Sequence, residues 1–342
     1  MLLKNYTSAM EYWNGRVDST TDYEAFRWHQ WVRPLDLNEE HPVFEGKLGF
    51  AFIGFASDQG VKRNKGRTGT ALAPGFIRGQ MSNLPCTFTQ EVALYDAGDI
   101  QCDEISMEEG QRLLGLAVEK ILSLNLFPLV LGGGHETTFG HFQGQLADQS
   151  RSEGTPDIGI INFDAHFDLR PYDKGRSSGS MFSQIADICY ERGMKYHYLP
   201  LGIQQHSNTV QLFKIAKELG VDYILAKEIH HTNYSAILEK VDAFMYACDS
   251  FYITICTDVF SSAFAPGVSA TQSLGVDPEV VLPIIKHILR TRKVRGFDIC
   301  EISPRFDQDN TTANLGAVII FTVVSTLARL NQLEVDLADF AY

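Results

Sequence analysis

The feature that most constrains the fold is a series of short, strongly apolar segments that alternate with stretches of helical periodicity from residue 49 onward. Several of these segments are almost uninterrupted apolar runs, which is typical of parallel strands covered on both faces. Their alternation with helices predicts an α/β protein, a three-layer α/β/α sandwich around a mostly parallel sheet of about eight strands. The predicted strands are 49–55, 92–96, 126–132, 157–163, 198–203, 221–226, 251–256 and 295–302.

Helix-boundary signals between these segments support the same interpretation. Ser106 and Glu109 form the pattern of a capping box before a periodic stretch. Gly220 ends another helical stretch in the manner of a C′ glycine. Asp277 and Pro278 are typical of an N-cap and a first helical residue. Each signal lies between two predicted strands, as an α/β fold requires.

The chain is expected to form one domain over residues 1–342, because α/β folds of this size often form a single unit. Residues 1–48 are mixed in composition and contain all the tryptophans of the chain. They show no clear periodicity, so we predict an irregular N-terminal extension there.

The balance of charge argues against two classes of partner. The chain has 42 acidic and 29 basic residues, a formal net charge of −13. Such a surface repels phosphate backbones and anionic lipid, so neither nucleic acid nor a membrane is expected as a partner. We expect no apolar run to reach the ~18–20 residues that a membrane span needs. We also expect no signal peptide, because the first residues lack an apolar core. The six cysteines are scattered without CxxC spacing, which favours a cytoplasmic location.

Three groups of polar residues follow predicted strands, where α/β folds place their chemistry. The first is GGGHE at 132–136, in which glycines permit a sharp turn just before His135. No GK[ST] follows, so a phosphate loop is excluded, and Phe139 occupies the place of the second histidine of HExxH. A tight turn with a helix-capping histidine remains the alternative.

The second group, Asp164, His166 and Asp168 in FDAHFD, is the strongest signal in the chain. In extended geometry their spacing places all three side chains on one side. Carboxylates this close repel one another unless a cation joins them, and ligands of this kind favour Mn²⁺ or a similar hard ion. The alternative is a solvated polar loop.

The third group is Cys256 and Asp258, which alternation along a strand would point into the same space. Together the three groups offer enough ligands for two cations that share a carboxylate. Such a pair activates water near neutral pH, which predicts metal-assisted hydrolysis of a carbon electrophile. For Cys256, the alternative is a small buried apolar residue.

GGGHE, FDAHFDLR and TDVF with AFAPG, in this order, resemble the metal motifs of the ureohydrolase (arginase/agmatinase) family over roughly residues 49–330. Segments 60–74, 176–182 and 299–304 are most similar to the subgroup that hydrolyses N-formimidoyl-L-glutamate to L-glutamate and formamide in histidine degradation. The resemblance implies an arginase-like fold, two Mn²⁺ ions per chain and often a homo-oligomer. It also implies attack of a metal-bridging hydroxide on the amidine carbon.

The resemblance also implies the roles of individual residues. His135, Asp164 and Asp168 would bind one Mn²⁺, whereas His166, Asp164 and Asp258 would bind the other, with Asp164 bridging. Asp168 would also relay a proton to the departing nitrogen.

The implied substrate needs groups that recognise both of its ends. Glu301 matches the position that binds the cationic amidine or guanidinium group, and a solvated acid at the end of a strand is the alternative. Ser178 matches a position that contacts the amino-acid end. Arg63, Arg67 and Arg170 are candidates for the substrate carboxylates, because guanidinium binds carboxylate in a bidentate manner, and a surface ion pair is the alternative for each.

One residue departs from the family pattern, which has Asp-x-Asp where this chain has Cys256-Thr257-Asp258. A thiolate preserves the ligand charge, but sulfur is a soft partner for manganese and offers a single donor atom. Two alternatives stay open, of which only the second depends on Cys256. One is a hydrolase of guanidino compounds such as agmatine or guanidinobutyrate, and the other is a metal-poor, non-catalytic protein of the same fold.

Overall fold

The carboxyl ends of the central strands meet at one edge of a single large sheet in the computed structural model, which describes residues 3–151 and 154–335. The strands are β1 Tyr6–Thr7, β2 Arg33–Pro34, β3 Leu48–Ala56, β4 Val92–Gln101, β5 Phe127–Leu131, β6 Ile158–Phe163, β7 His197–Ile203, β8 Ile224–Leu225, β9 Ser250–Cys256 and β10 Val294–Cys300. The α-helices are α1 Trp28–Trp31, α2 Gln59–Arg63, α3 Ala73–Met81, α4 Met107–Ser123, α5 Thr137–Gln149, α6 Met181–Glu191, α7 Val210–Glu218, α8 Tyr234–Ala247, α9 Pro278–Leu289 and α10 Thr311–Leu330.

The sheet runs in the order β1-β4-β3-β5-β10-β9-β6-β7-β8, with β2 also paired to β4. Among the described strands, only β1 pairs in the antiparallel sense. The order places β5, β10, β9 and β6 side by side, and these are the strands that precede the polar groups singled out in the sequence. The predicted parallel α/β architecture is confirmed.

Helices cover both faces of the sheet and make three layers. On one face, α3, α8, α9 and α10 contribute to a hydrophobic core with Phe50 and Phe52 of β3. On the other face, α4 packs against Ala51, Ile53 and Phe55 of the same strand, while α5, α6 and α7 pack over β6 and β7. Successive residues of β3 thus enter opposite cores, which explains why this strand reads as a continuous apolar run.

The helix boundaries follow the sequence signals. Ser106 Oγ accepts the backbone N–H of Glu109 at 3.2 Å, although the Glu109 carboxylate pairs with Arg112 instead of closing the capping box. Asp277 caps α9 by accepting the Glu279 N–H at 2.8 Å. Gly220 lies at φ +68 just beyond α7, in the left-handed region that glycine adopts without cost.

Three expectations about the fold need correction. Within the described residues the sheet has ten strands, because the 1–48 segment adds β1 and β2, each two residues long and without a pattern of its own. The predicted strand 221–226 shortens to Ile224–Leu225, at the edge of the sheet. Helix α10 is long and apolar enough to cross a membrane by length and composition alone, contrary to the expectation that no run is, and 61% of that apolar stretch is buried. It packs on α3 and α9 as a core helix.

Candidate metal centre and substrate cavity

The three polar groups and Glu301 converge because the four strands that precede them are neighbours. His135 follows β5, Glu301 follows β10, Cys256 ends β9, and Asp164 follows β6. Carboxyl ends of adjacent parallel strands deliver the following residues to one place. These four side chains are buried, with exposures of 0 to 7%, whereas His166 is partly exposed.

The glycine loop sets the position of His135 through a close backbone approach. A Cβ atom added at Gly133 would lie 1.9 Å from the carbonyl oxygen of Ser57, so this position has no space for a side chain. His135 Nε2 lies 3.0 Å from Thr254 Oγ1, and that hydroxyl also bonds to the Asp298 carboxylate. With the hydroxyl proton directed to Asp298, Nε2 carries the imidazole proton, and Nδ1 faces the carboxylates.

The loop after β6 brings Asp164, His166 and Asp168 together, but by another geometry than predicted. The strand ends at Phe163, so the three residues do not alternate along extended backbone. Asp168 instead has φ +48, in the left-handed region that few side chains adopt. The prediction that extended alternation aligns these side chains was therefore wrong, although they do face one another.

Cys256 and Asp258 also converge without alternation. Strand β9 ends at Cys256, and residues Thr257–Val259 form one turn of 3₁₀-helix. Asp258 Oδ2 lies 3.2 Å from His166 Nδ1, whereas its buried Oδ1 has no hydrogen-bond partner among the described residues. An unpaired buried carboxylate oxygen is costly, so this atom is available to a cation.

Two overlapping sets of ligand atoms result. His135, Asp164 and Cys256 form one set, and Asp164, His166 and Asp258 form the other, with the atoms of each set within 4.8 Å of one another. Asp164 belongs to both. Its Oδ2 lies 3.0 Å from His135 Nδ1, while its Oδ1 lies 3.4 Å from His166 Nδ1. Asp168 Oδ2 joins the first set, also 3.0 Å from His135 Nδ1.

The electrostatics of the cluster fit cations. Burial and the charge of Asp164 raise the pKa of Asp168 to about 6. Burial favours neutral imidazoles, but hydrogen bonds and charges from the aspartates outweigh it and raise the pKa values of His135 and His166. Protons thus neutralise the carboxylates when cations do not. Oxygen and imidazole donors, an orphaned carboxylate oxygen and a shared aspartate together fit a pair of divalent ions.

Glu301 lies beside this cluster with a constrained backbone. Its φ of +67 ends β10, and its Oε1 accepts the backbone N–H of His135 at 2.9 Å. Burial, followed by the charges of Glu136 and Asp258, raises its pKa well above the usual range. A carboxylate in this setting is stabilised by positive charge placed next to it.

A cavity of about 320 Å³ opens onto the cluster. Arg170 and Ser178 line it, and within the described ranges their guanidinium and hydroxyl groups form no hydrogen bond. Arg67 also lines it, but its guanidinium bonds to the carbonyls of Val268 and Ser269 and lies 4.1 Å from the ring centre of Phe306. The guanidinium of Arg67 is thus already hydrogen-bonded to the backbone that lines the cavity, whereas that of Arg170 is free to bind a ligand.

Arg63 does not reach the cavity. Its guanidinium pairs with both carboxylate oxygens of Glu108 and faces a neighbouring depression. The structure therefore favours the ion-pair alternative for Arg63. The sequence could not show this, because Glu108 lies 45 positions away and carries no motif.

Several buried residues around the site were assigned no role from the sequence, although Glu136 lies within the GGGHE motif. Glu136 accepts from Ser57 Oγ and from the Gly60 N–H, and burial raises its pKa to about 7. It fixes the start of α2 beneath the cavity. Asp298 collects hydrogen bonds from Thr138, Thr254 and His141 behind His135. Strand positions facing a core give no sequence cue to such a network.

Comparisons with known proteins give consistent results. Residues 48–325 match the arginase family. A formimidoylglutamase of Clostridium tetani (strain Massachusetts / E88) is 57% identical over 333 residues, which cover 96% of this chain and 98% of the relative.

Solved structures show the same fold. Formimidoylglutamase from Bacillus subtilis subsp. subtilis str. 168 has a TM-score of 0.77 at 22% identity, covering 92% of this chain and 96% of that one. Trypanosoma cruzi formiminoglutamase, solved with Mn²⁺, has a TM-score of 0.73 at 24% identity, covering 82% and 94%.

Proposed function

This chain belongs to the arginase family, and from that premise we propose that it hydrolyses N-formimidoyl-L-glutamate to L-glutamate and formamide at a binuclear manganese centre. The observation that carries the proposal is a single cavity lined by two chemically different groups of residues. One group is the cluster of candidate metal ligands, and the other is the guanidinium of Arg170 with the Ser178 hydroxyl. A substrate with an amidine at one end and carboxylates at the other matches both.

The ligands divide between two ions. His135, Asp164, Asp168 and Cys256 would hold one Mn²⁺, and Asp164, His166 and Asp258 would hold the other. Bound divalent cations supply Lewis acidity that brings the pKa of water toward neutral. Cys256 is the soft member of an otherwise hard donor set, so the first ion is held less firmly than a second carboxylate would hold it.

The other residues orient the substrate and move protons. Glu301 accepts hydrogen bonds from the protonated formimidoyl group, which places the carbon between the cluster and the cavity. Arg170 binds a substrate carboxylate in bidentate fashion, and Ser178 donates to the amino-acid end. Hydrolysis breaks the bond between the formimidoyl carbon and the glutamate nitrogen. Asp168 relays to this nitrogen the proton that it needs to leave.

The test is a substrate panel on the purified chain, stripped of metal and reloaded with Mn²⁺. Formamide and glutamate should appear from formimidoylglutamate, with no product from arginine, agmatine or guanidinobutyrate. Urea from a guanidino compound would establish the alternative hydrolase. Absence of turnover on every substrate, with no metal retained, would establish a non-catalytic protein.

Two arginine variants sharpen this test. Arg170→Met should raise KM for formimidoylglutamate by roughly tenfold or more, because a charge-assisted bidentate contact is lost. Arg63→Met removes a guanidinium that pairs with Glu108 outside the cavity, and KM should stay near that of the unaltered chain. A raised KM in Arg63→Met with an unchanged KM in Arg170→Met would show instead that Arg63 binds the substrate. Assembly as a homo-oligomer and a cytoplasmic location stay predictions.

A further inference from the structure

A second cluster of ligand-type side chains lies at the amino-terminal ends of the strands, whereas the cavity lies at their carboxyl-terminal ends. Asp157 immediately precedes β6, His197 is the first residue of β7, and Cys248 lies just before β9. Strands β9, β6 and β7 are neighbours, so their amino-terminal ends bring the three residues together. The carboxylate, imidazole and thiol atoms lie within 4.8 Å of one another.

The polar atoms of this cluster are incompletely paired. Asp157 Oδ1 lies 3.2 Å from His197 Nε2, close enough for an ion pair. Neither atom has a partner in hydrogen-bond geometry within residues 3–151 and 154–335, and both are shielded from solvent. Two buried polar atoms that face each other without a well-formed bond are costly, unless a third group joins them.

The backbone makes room for the sulfur at this point. Gly159 is paired with His197 in the sheet, and a Cβ atom added to it would lie 2.7 Å from Cys248 Sγ. Any larger residue would push the thiol out of the cluster. The thiol donates only a weak hydrogen bond to the Phe244 carbonyl, at 3.4 Å, which coordination could replace.

The nearest strong cation does not occupy the cluster. Lys293 Nζ donates to the carbonyl oxygens of Met245 and Cys248, at 3.0 and 2.8 Å, and within the described residues it forms no ion pair with Asp157. His197 and Phe244 line a neighbouring cavity of about 390 Å³, whereas Asp157 and Cys248 do not belong to its lining. The cluster thus has three protein donors of different kinds.

We propose that Asp157, His197 and Cys248 form a separate site for a zinc-class divalent cation. Thiolate, imidazole and carboxylate are the three ligand types that zinc takes in tetrahedral sites, and water completes the fourth position. The six residues of β6 separate this site from the cavity by about 20 Å. An ion bound there would join the start of β7 to the connection between α8 and β9.

The experiment counts zinc on the full chain by competition with a chromophoric chelator. The unaltered protein should bind about one equivalent more than Cys248→Ser or His197→Gln, because three protein ligands are the minimum for a firm zinc site. Cys189→Ser is the matched control, since Cys189 is also buried and free but belongs to neither cluster. It should bind as much zinc as the unaltered chain.

Cobalt gives a readout that is specific for sulfur. In a Cys256→Ser background the thiol of the cavity is absent, so a near-ultraviolet thiolate-to-cobalt band must come from another cysteine. The band should be present, should vanish on adding Cys248→Ser, and should persist on adding Cys189→Ser. Hydrolysis of formimidoylglutamate by Cys248→Ser alone should be unchanged. Equal zinc counts in the unaltered, Cys248→Ser and His197→Gln proteins, or a cobalt band indifferent to Cys248, would overturn the proposal.

Discussion

The backbone N–H of His135 donates to Oε1 of Glu301 across 2.9 Å. This bond ties the residue proposed to bind the amidine to a residue proposed to bind a cation. Glu301→Gln keeps an oxygen acceptor for that N–H but removes the charge that a cationic substrate requires. We expect kcat/KM for formimidoylglutamate to fall by about tenfold to a hundredfold, the worth of a charged hydrogen bond, with metal content unchanged.

Steady-state kinetics with metal analysis of the same sample check this prediction. Glu218→Gln, an exposed substitution at the end of α7, is the control for loss of one negative charge. Loss of manganese from the Glu301 variant would show instead that the carboxylate supports the metal centre.

The hydroxyl of Thr254 directs Nδ1 of His135 toward the cluster, because it lies 3.0 Å from Nε2 and bonds to Asp298 on its other side. Thr254→Val removes the hydroxyl at nearly constant volume. Manganese affinity should fall by about 10–100-fold, as is usual when the partner of a ligating histidine is lost. Thr254→Ser restores the hydroxyl and should restore affinity, measured by titration with free Mn²⁺ followed by electron paramagnetic resonance. If serine and valine behave alike, packing and not the hydrogen bond holds His135.

Substitution of Cys256 tests whether its sulfur determines which metal ion the site prefers. Cys256→Asp supplies hard oxygen where the chain has sulfur, so affinity for Mn²⁺ should rise and affinity for soft Cd²⁺ should fall. Competition titration of the two ions gives both changes at once. Cys300→Ser is the matched control, since Cys300 is buried opposite Cys256 in the register of β10 and β9. Unchanged ion preference in Cys256→Asp would mean that the sulfur does not contact the metal.

Metal removal should make stability depend on pH. The pKa values of His135 and His166 are raised in the folded, cation-free protein, so the folded state holds protons that the unfolded chain releases near its ordinary imidazole pKa. This stabilisation is complete below the unfolded pKa and is lost as pH rises through the folded one. Chelated protein should therefore lose Tm between neutral and alkaline pH, whereas protein saturated with Mn²⁺ should lose much less. Parallel curves with and without metal would contradict protonated imidazoles in the cation-free site.

Sequence reasoning identified the central strands because burial on both faces leaves a continuous apolar run, as in β3 and β6. It identified His135, Asp164 and Asp258 as members of one site because each follows such a strand. Once the strands are placed, parallel pairing determines which polar residues meet.

The remaining features depend on information that a linear pattern lacks. The left-handed backbone of Asp168 and Glu301 is set by the surrounding loops. Extended backbone was therefore the wrong prediction for the segment that ends at Asp168. The pairing of Arg63 with Glu108 is a long-range contact between two ordinary charged residues. The cluster of Asp157, His197 and Cys248 spreads over three separate segments, none of which has ligand spacing.

Arg78 is a buried cation that secures the edge of the sheet carrying the N-terminal segment. Its guanidinium bonds to Asp96 at 2.6 Å and to Asp99 at 2.6 Å, and all three side chains are almost fully buried. Trp13 Nε1 donates to the same Asp96 at 2.6 Å, which fastens residues 1–48 to β4. Two buried ion pairs and one hydrogen bond therefore link α3, β4 and the N-terminal extension.

Arg78→Met should lower the free energy of unfolding by about 3–5 kcal/mol, because it leaves two carboxylates buried without their cation. Arg112→Met breaks an exposed pair with Glu109 and should change it by less than about 0.5 kcal/mol. Urea unfolding of the metal-loaded proteins measures both. Adding Asp96→Asn and Asp99→Asn to Arg78→Met should recover part of the loss, since neutral amides are cheaper to bury than charges. If Arg78→Met costs no more than the surface control, the carboxylates are protonated once Arg78 is removed, and the loss should then grow as pH rises.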